Sequence, residues 1–220
     1  TIAEFYTVFA YTDKKSRHRG ISCFVVPRET PGVQPGKHEL KMGQHASDTS
    51  TVVFEDVRIP AANLLGREGD GFKLLMKTFD KSRPGVGAWA VGLARCAMEY
   101  AVGYAGERKQ FGLPIGEFQA VHFMLARMAR DIDAARLLTH RAAWMTDNGR
   151  RNTTEAAMAK SFASDVAMRV TTDAVQVYGG YGYSREYPVE KLMRDAKVLQ
   201  IYEGTNQIQM MIIGKDLVRS

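Results

Sequence analysis

The stretch FQAVHFMLARMARDIDAA, residues 118–135, decides the fold class. Val121, Leu125, Met128, Ile132 and Ala135 recur at alternating spacings of four and three, which places them on one face of a helix. Working back, Phe72 to Phe79 opens an earlier helix that continues to about Ala105. Pro84 inside it predicts a kink or a break, because proline has no N–H to donate and crowds the preceding turn. Working forward, a third helix follows Asn152-Thr153-Thr154-Glu155, with Met158, Phe162, Val166 and Val170 at i+4 spacing. Asn152 or Thr153 suits its N-cap. Gly179-Gly180 ends it, since glycine accepts the left-handed conformation at low cost. A final helix follows Gly204-Thr205 and runs to the C-terminus. Long amphipathic helices with short connections predict an antiparallel bundle.

Before residue 66 the sequence has a different texture. Phe5 to Tyr11, Ile21 to Val26 and Thr51 to Phe54 are short β-rich runs bounded by Gly, Pro and Asp. Pro31-Gly32-Val33 with Pro35-Gly36 reads as loop. The expected architecture is α+β and multidomain: residues 1–66 form part of an antiparallel, barrel-like β-domain, and residues 67–220 an all-α antiparallel bundle. The chain opens on Thr1, directly in strand-like sequence and without a methionine, which predicts further chain upstream.

Composition narrows the function classes. Apolar residues make up 45% and charged residues 25%, as in ordinary globular proteins. The net charge of +6 is not gathered into an interleaved basic–aromatic patch, so nucleic acid is not an expected partner. Part of the excess suits attraction of an anionic, phosphorylated ligand. No apolar run is long enough to span a bilayer. Cys23 and Cys96 sit among apolar residues, as reduced thiols do, and the five histidines show no ligand spacing, so no metal site is expected. A di-iron bundle lacks its Glu-x-x-His pairs.

Three stretches are out of character for plain bundle sequence. In Tyr202-Glu203-Gly204-Thr205, a glutamate stands at a helix start; it reads either as an acid favoured by the helix dipole or as a chemical group. Gln176-Val177-Tyr178-Gly179-Gly180-Tyr181-Gly182-Tyr183 sets three glycines among aromatics. That is either a helix cap with a tight turn, or backbone left bare for close approach of a flat cofactor or its pyrophosphate. Arg108-Lys109-Gln110-Phe111-Gly112 reads as a basic helix C-terminus or as an anion clamp.

Together these stretches resemble the acyl-CoA dehydrogenase family, most closely its medium-chain and related straight-chain branch. MGQHASDTSTVVFEDVRIP (residues 42–60) is similar to the end of the family's middle β-domain. FDKSRP (79–84), ERKQFG (107–112), FQAVHFMLARMARD (118–131), GRRNT (149–153), QVYGGYGYSREYPVEKLMRDAK (176–197) and IYEGTNQIQ (201–209) resemble successive landmarks of its C-terminal helical domain. The resemblance covers essentially the whole chain, and the joint order of the landmarks makes it specific. One departure is Met210, where the medium-chain branch usually carries an arginine.

The resemblance implies an FAD enzyme that oxidises an acyl-CoA to its trans-2-enoyl-CoA. Glu203 is implied as the base that takes the pro-R α-proton while the β-hydride passes to the flavin. Burial raises a carboxylate's pKa and brings its basicity toward that task. Some branches place the base on the earlier helix instead; Ser82 stands there here, which favours Glu203. Arg108, Gln110, Phe111, Phe118, Gln119, Gln176, Gly179, Gly180, Thr205 and Gln207 are implied FAD contacts, the first five toward a neighbouring subunit. Asp80, Arg83, Arg151, Thr153 and Gly204 are implied contacts of the acyl-CoA substrate.

A homotetramer, electron-transfer flavoprotein as acceptor, and a bacterial cytoplasm or mitochondrial matrix follow from the same resemblance. The family's N-terminal helical domain and first β-domain strands have no counterpart in the sequence, so the chain alone is expected to hold FAD poorly and to be inactive. Two alternatives stay open: an oxidase or decarboxylating dehydrogenase on the same scaffold, and a non-catalytic helical interaction module.

Overall fold

The structure, a computed structural model, describes residues 1–219; Ser220, the expected end of the final helix, lies outside them. The chain divides into two compact units, Thr1–Phe79 and the residues from Asp80 onward.

In the first unit, β1 (Phe5–Tyr11) pairs antiparallel with β2 (Ile21–Pro27), Phe5 opposite Pro27 and Tyr11 opposite Ile21. The two-residue β5 (Leu64–Leu65) adds to the far edge of β2. The expected loop at 31–36 contains a strand, β3 (Val33–Pro35), paired with β4 (Val52–Phe54). A sheet of two strands has only edges, and an edge tolerates the missing N–H of Pro35. The helix α1 begins at Gly71, where a Cβ would lie 2.7 Å from the Ser22 carbonyl carbon, so only glycine lets its first turn close against β2.

The second unit holds the bundle. It contains the rest of α1 (Gly71–Glu107), α2 (Gln119–Asp147), α3 (Thr153–Tyr178), α4 (Val189–Lys197) and α5 (Asn206–Arg219). A short hairpin, β6 (Lys109–Gln110) with β7 (Leu113–Pro114), joins α1 to α2. On α2 the expected stripe is the inner face: Met128, Ile132 and Ala135 are buried, and Val121 and Leu125 pack on the same core. On α3 the expected i+4 stripe holds in part: Val166 and Val170 are buried in the core and Met158 is half-buried. Phe162 is exposed, and burial instead wraps most of the helix through Ala156, Ala157, Ala159, Ala163, Ala167 and Ala174. α3 touches α2, α4 and α5, so it has neighbours on several sides and needs small residues rather than one bulky face.

Pro84 does not break α1, which runs through it unbroken. Proline leaves the carbonyl four residues back without its helical donor, here that of Asp80. Asn152 Nδ2 donates to that carbonyl at 3.0 Å, and to Thr146 Oγ1 at 2.8 Å. Asn152 does sit at the N-cap of α3, but its side chain makes no capping bond there, because its amide is engaged on α1 and α2. Among the described residues no helix is long and apolar enough to cross a membrane.

Candidate active site

The turn before α5 has an unusual backbone. Glu203 has φ +53° and Gly204 φ +88°, two left-handed residues in succession. Glycine adopts this freely, whereas a glutamate there costs about 1–2 kcal/mol. The turn's carbonyls are heavily engaged. That of Glu203 accepts from Arg83 Nε at 3.2 Å and from Gln209 Nε2 at 3.3 Å. That of Gly204 accepts from Lys160 Nζ and from Gln209 Nε2, both at 2.9 Å.

The Glu203 carboxylate is half-buried, and Ser82 Oγ donates to its Oε2 at 2.6 Å. No hydrogen bond from the described residues reaches Oε1. Arg83 is only 3% exposed; burial draws its pKa down, opposed by the charges of Asp80 and Glu203. Asp80 Oδ2 accepts from Thr153 Oγ1 at 2.8 Å. Thus Asp80, Ser82 and Arg83 on α1, Thr153 on α3, and the Glu203–Gly204 turn form one connected cluster. Arg151 is exposed just before α3, Thr205 is half-buried, and Gln207 is exposed in the first turn of α5.

A second feature is a cleft of about 560 Å³ where the end of α1, the β6 strand and the end of α3 converge. Arg108, Gln110, Gly179 and Gly180 line it, with Tyr104, Tyr178 and Tyr181. Tyr104 and Tyr178 stack at 4.1 Å, and the Arg108 guanidinium lies 5.6 Å from the Tyr181 ring centre. Phe111 projects from the hairpin, 92% exposed, and meets Phe118 edge to face at 6.1 Å between centroids. Gln176 is exposed and does not line the cleft; Gln119 opens α2.

The glycines of the 179–182 turn differ in what the fold asks of them. Gly182 is needed for packing, since a Cβ there would lie 2.4 Å from the Val175 carbonyl oxygen. Gly179, with φ +60°, is needed by its backbone. Gly180 has no positive φ, and a Cβ on it would meet no atom within 4 Å. Nothing in the chain's own packing calls for its bare backbone, which fits a ligand lying against it. The cation, the amide and the aromatic rings around it suit a phosphorylated, flat cofactor.

Four residues of the first cluster escaped the sequence reading: Asn152 as a helix brace, and Lys160, Asn206 and Gln209 around the turn. Lys160 alone left a signal, as a lone lysine in the small-residue run AAMAKSFASDVA (156–167).

Residues 69–218 match the family described as "Acyl-CoA dehydrogenase, C-terminal domain", and residues 1–57 match "Acyl-CoA dehydrogenase, middle domain". The chain belongs to the acyl-CoA dehydrogenase family. Among its relatives, the short-chain-specific acyl-CoA dehydrogenase of Megasphaera elsdenii is 53% identical over 217 residues, which are 99% of this chain and 57% of that protein. The solved butyryl-CoA dehydrogenase of the same organism matches with a TM-score of 0.97 at 53% identity, over 99% of this chain and 57% of the other. A chain from work on the electron transferring flavoprotein of Acidaminococcus fermentans matches with a TM-score of 0.98 at 51% identity, over 100% and 58%. The chain therefore spans about 57% of the length of the curated relative.

Proposed function

We propose that this chain supplies the base, the substrate-side cluster and the cofactor cleft of a flavin-dependent acyl-CoA dehydrogenase. The observation that carries the reading is the Glu203 carboxylate, held by Ser82 on one oxygen and projected from a left-handed turn. Glu203 takes the α-proton of the thioester on Oε1, the oxygen that Ser82 leaves open. Ser82 fixes the rotation of the carboxylate, so that little motion is needed as the proton arrives. Asp80, Arg83, Arg151, Thr153 and Gly204 form the substrate side, with Arg83 also bracing the turn.

FAD, when bound, supplies the hydride acceptor for the β-carbon. Arg108, Gln110, Gly179 and Gly180 would hold it in the cleft, where the Arg108 cation suits its phosphates. Phe111, Phe118, Gln119, Gln176, Thr205 and Gln207 complete its surroundings by family resemblance. The identity with a short-chain-specific relative supports a short, straight acyl chain. A homotetramer that passes electrons to electron-transfer flavoprotein, in a bacterial cytoplasm, fits the same relatives.

A panel of straight and branched acyl-CoAs, added to the FAD-loaded full-length protein, tests the reading by flavin bleaching. Fastest bleaching by a short straight chain is the expected result. Failure of every acyl-CoA to bleach the flavin rejects the reading.

A further inference from the structure

Lys160 lies on α3, in a helix surface otherwise packed with alanine and serine, and is 0% exposed. Buried charges are normally paired with an opposite charge, because desolvating an ammonium is costly. No carboxylate pairs with Lys160 at ion-pair distance among the described residues. Its ammonium donates instead to two neutral acceptors on one turn: the Gly204 carbonyl at 2.9 Å and Asn206 Oδ1 at 2.8 Å. Asn206 cannot swing away, since its Nδ2 donates to Ser164 Oγ at 2.9 Å and to Asp165 Oδ1 at 2.8 Å.

Gln209 approaches the same carbonyl from α5. It is also 0% exposed, and its Nε2 donates to the Gly204 and Glu203 carbonyls. Its Oε1 is buried without a hydrogen-bond partner among the described residues. An apolar side chain of that volume would fill the space without this cost. Neither residue is asked for by core packing, and both converge on one carbonyl oxygen.

That carbonyl belongs to the second of two left-handed residues, the first being Glu203 itself. Such a backbone persists only where its surroundings over-determine it. We infer that Lys160 and Gln209 are positioning residues for Glu203: their donors meet on the Gly204 carbonyl and hold the left-handed turn from which the carboxylate projects toward Ser82. The inference rests on Glu203 being the base. Burial and the nearby Arg83 draw the Lys160 pKa down to about 8, opposed by Asp165 and Glu203, which leaves it mostly charged at neutral pH.

The test uses Lys160→Met and Gln209→Met in the FAD-loaded full-length enzyme, both unbranched replacements of similar length. Crystal structures read the turn, and rates are expressed per bound flavin. The expected result is a turn out of the left-handed region, a lost Ser82–Glu203 bond, and kcat lower by on the order of a hundredfold. KM should change less than kcat, since Asp80, Arg151 and Thr153 of the substrate side lie outside the turn. Retention of both the Ser82–Glu203 bond and the wild-type rate per flavin overturns the inference. If Lys160→Met does not fold, Gln209→Met alone decides on the same criteria. If Glu203→Gln, run in parallel, keeps full turnover, the functional reading fails, and the turn geometry in the crystal structures decides the inference by itself.

Discussion

Ser82 Oγ and Glu203 Oε2 lie 2.6 Å apart, a hydrogen bond across 121 residues of sequence that ties the middle of α1 to the turn before α5. A donor to a carboxylate is among the stronger hydrogen bonds, worth about 1.5–3 kcal/mol. It orients the acid without competing with it, since serine does not titrate in the working range. Ser82→Ala is therefore expected to lower kcat by about tenfold or more while leaving measurable turnover, as the base itself remains. Steady-state rates of the full-length enzyme check this. An unchanged kcat would show that the bond does not matter to placement.

Asn152 compensates for Pro84. Replacing Asn152 with Ala leaves the half-buried Asp80 carbonyl short of a donor and is expected to cost about 1–3 kcal/mol of stability. In a Pro84→Ala background the helix can supply its own N–H to that carbonyl, so the same Asn152→Ala change should cost less. A double-mutant cycle on denaturant midpoints reads the coupling. Additive effects would refute the compensation.

Gly180 and Gly182 should part company. Gly182→Ala forces a Cβ against the Val175 carbonyl and is expected to destabilise the fold. Gly180→Ala has open space and should leave the melting temperature nearly unchanged, yet weaken flavin retention during gel filtration. Full flavin retention by Gly180→Ala would argue against a ligand lying on that backbone.

Lys160 makes stability depend on pH in a defined direction. Its folded value of about 8 lies below the ordinary 10.5. Below about pH 8 both states hold the proton, and the penalty for burying the charge is constant. Between about 8 and 10.5 the unfolded chain still holds a proton that the folded chain has released, so this site's contribution to stability rises with pH. The difference in melting temperature between wild type and Lys160→Met should shift in favour of wild type across that window. A flat difference would place the titration elsewhere.

The parts of the fold legible in sequence were those with a one-sided environment. The α2 stripe reads correctly because one face is buried and the other is wet. α3 hides its role because a central helix buries small residues around most of its circumference, and no one-sided stripe remains. The strand Val33–Pro35 is masked by Pro and Gly, which speak for loop unless the strand is an edge. At the site, Glu203 stands out through the residues beside it in sequence. Lys160, Asn206 and Gln209 do not, because their work is done on main-chain carbonyls, which have no residue identity and leave no motif. Only a lysine among alanines hints at it.

The central claim is that the carboxylate of Glu203 removes the substrate's α-proton. Glu203→Gln in the full-length, FAD-loaded enzyme keeps the shape and can still accept the Ser82 bond, but removes the base. Mixed rapidly with a short acyl-CoA, it is expected to bind the ligand while bleaching the flavin on the order of a hundred- to ten-thousandfold more slowly than wild type. Bleaching at the wild-type rate would contradict the account.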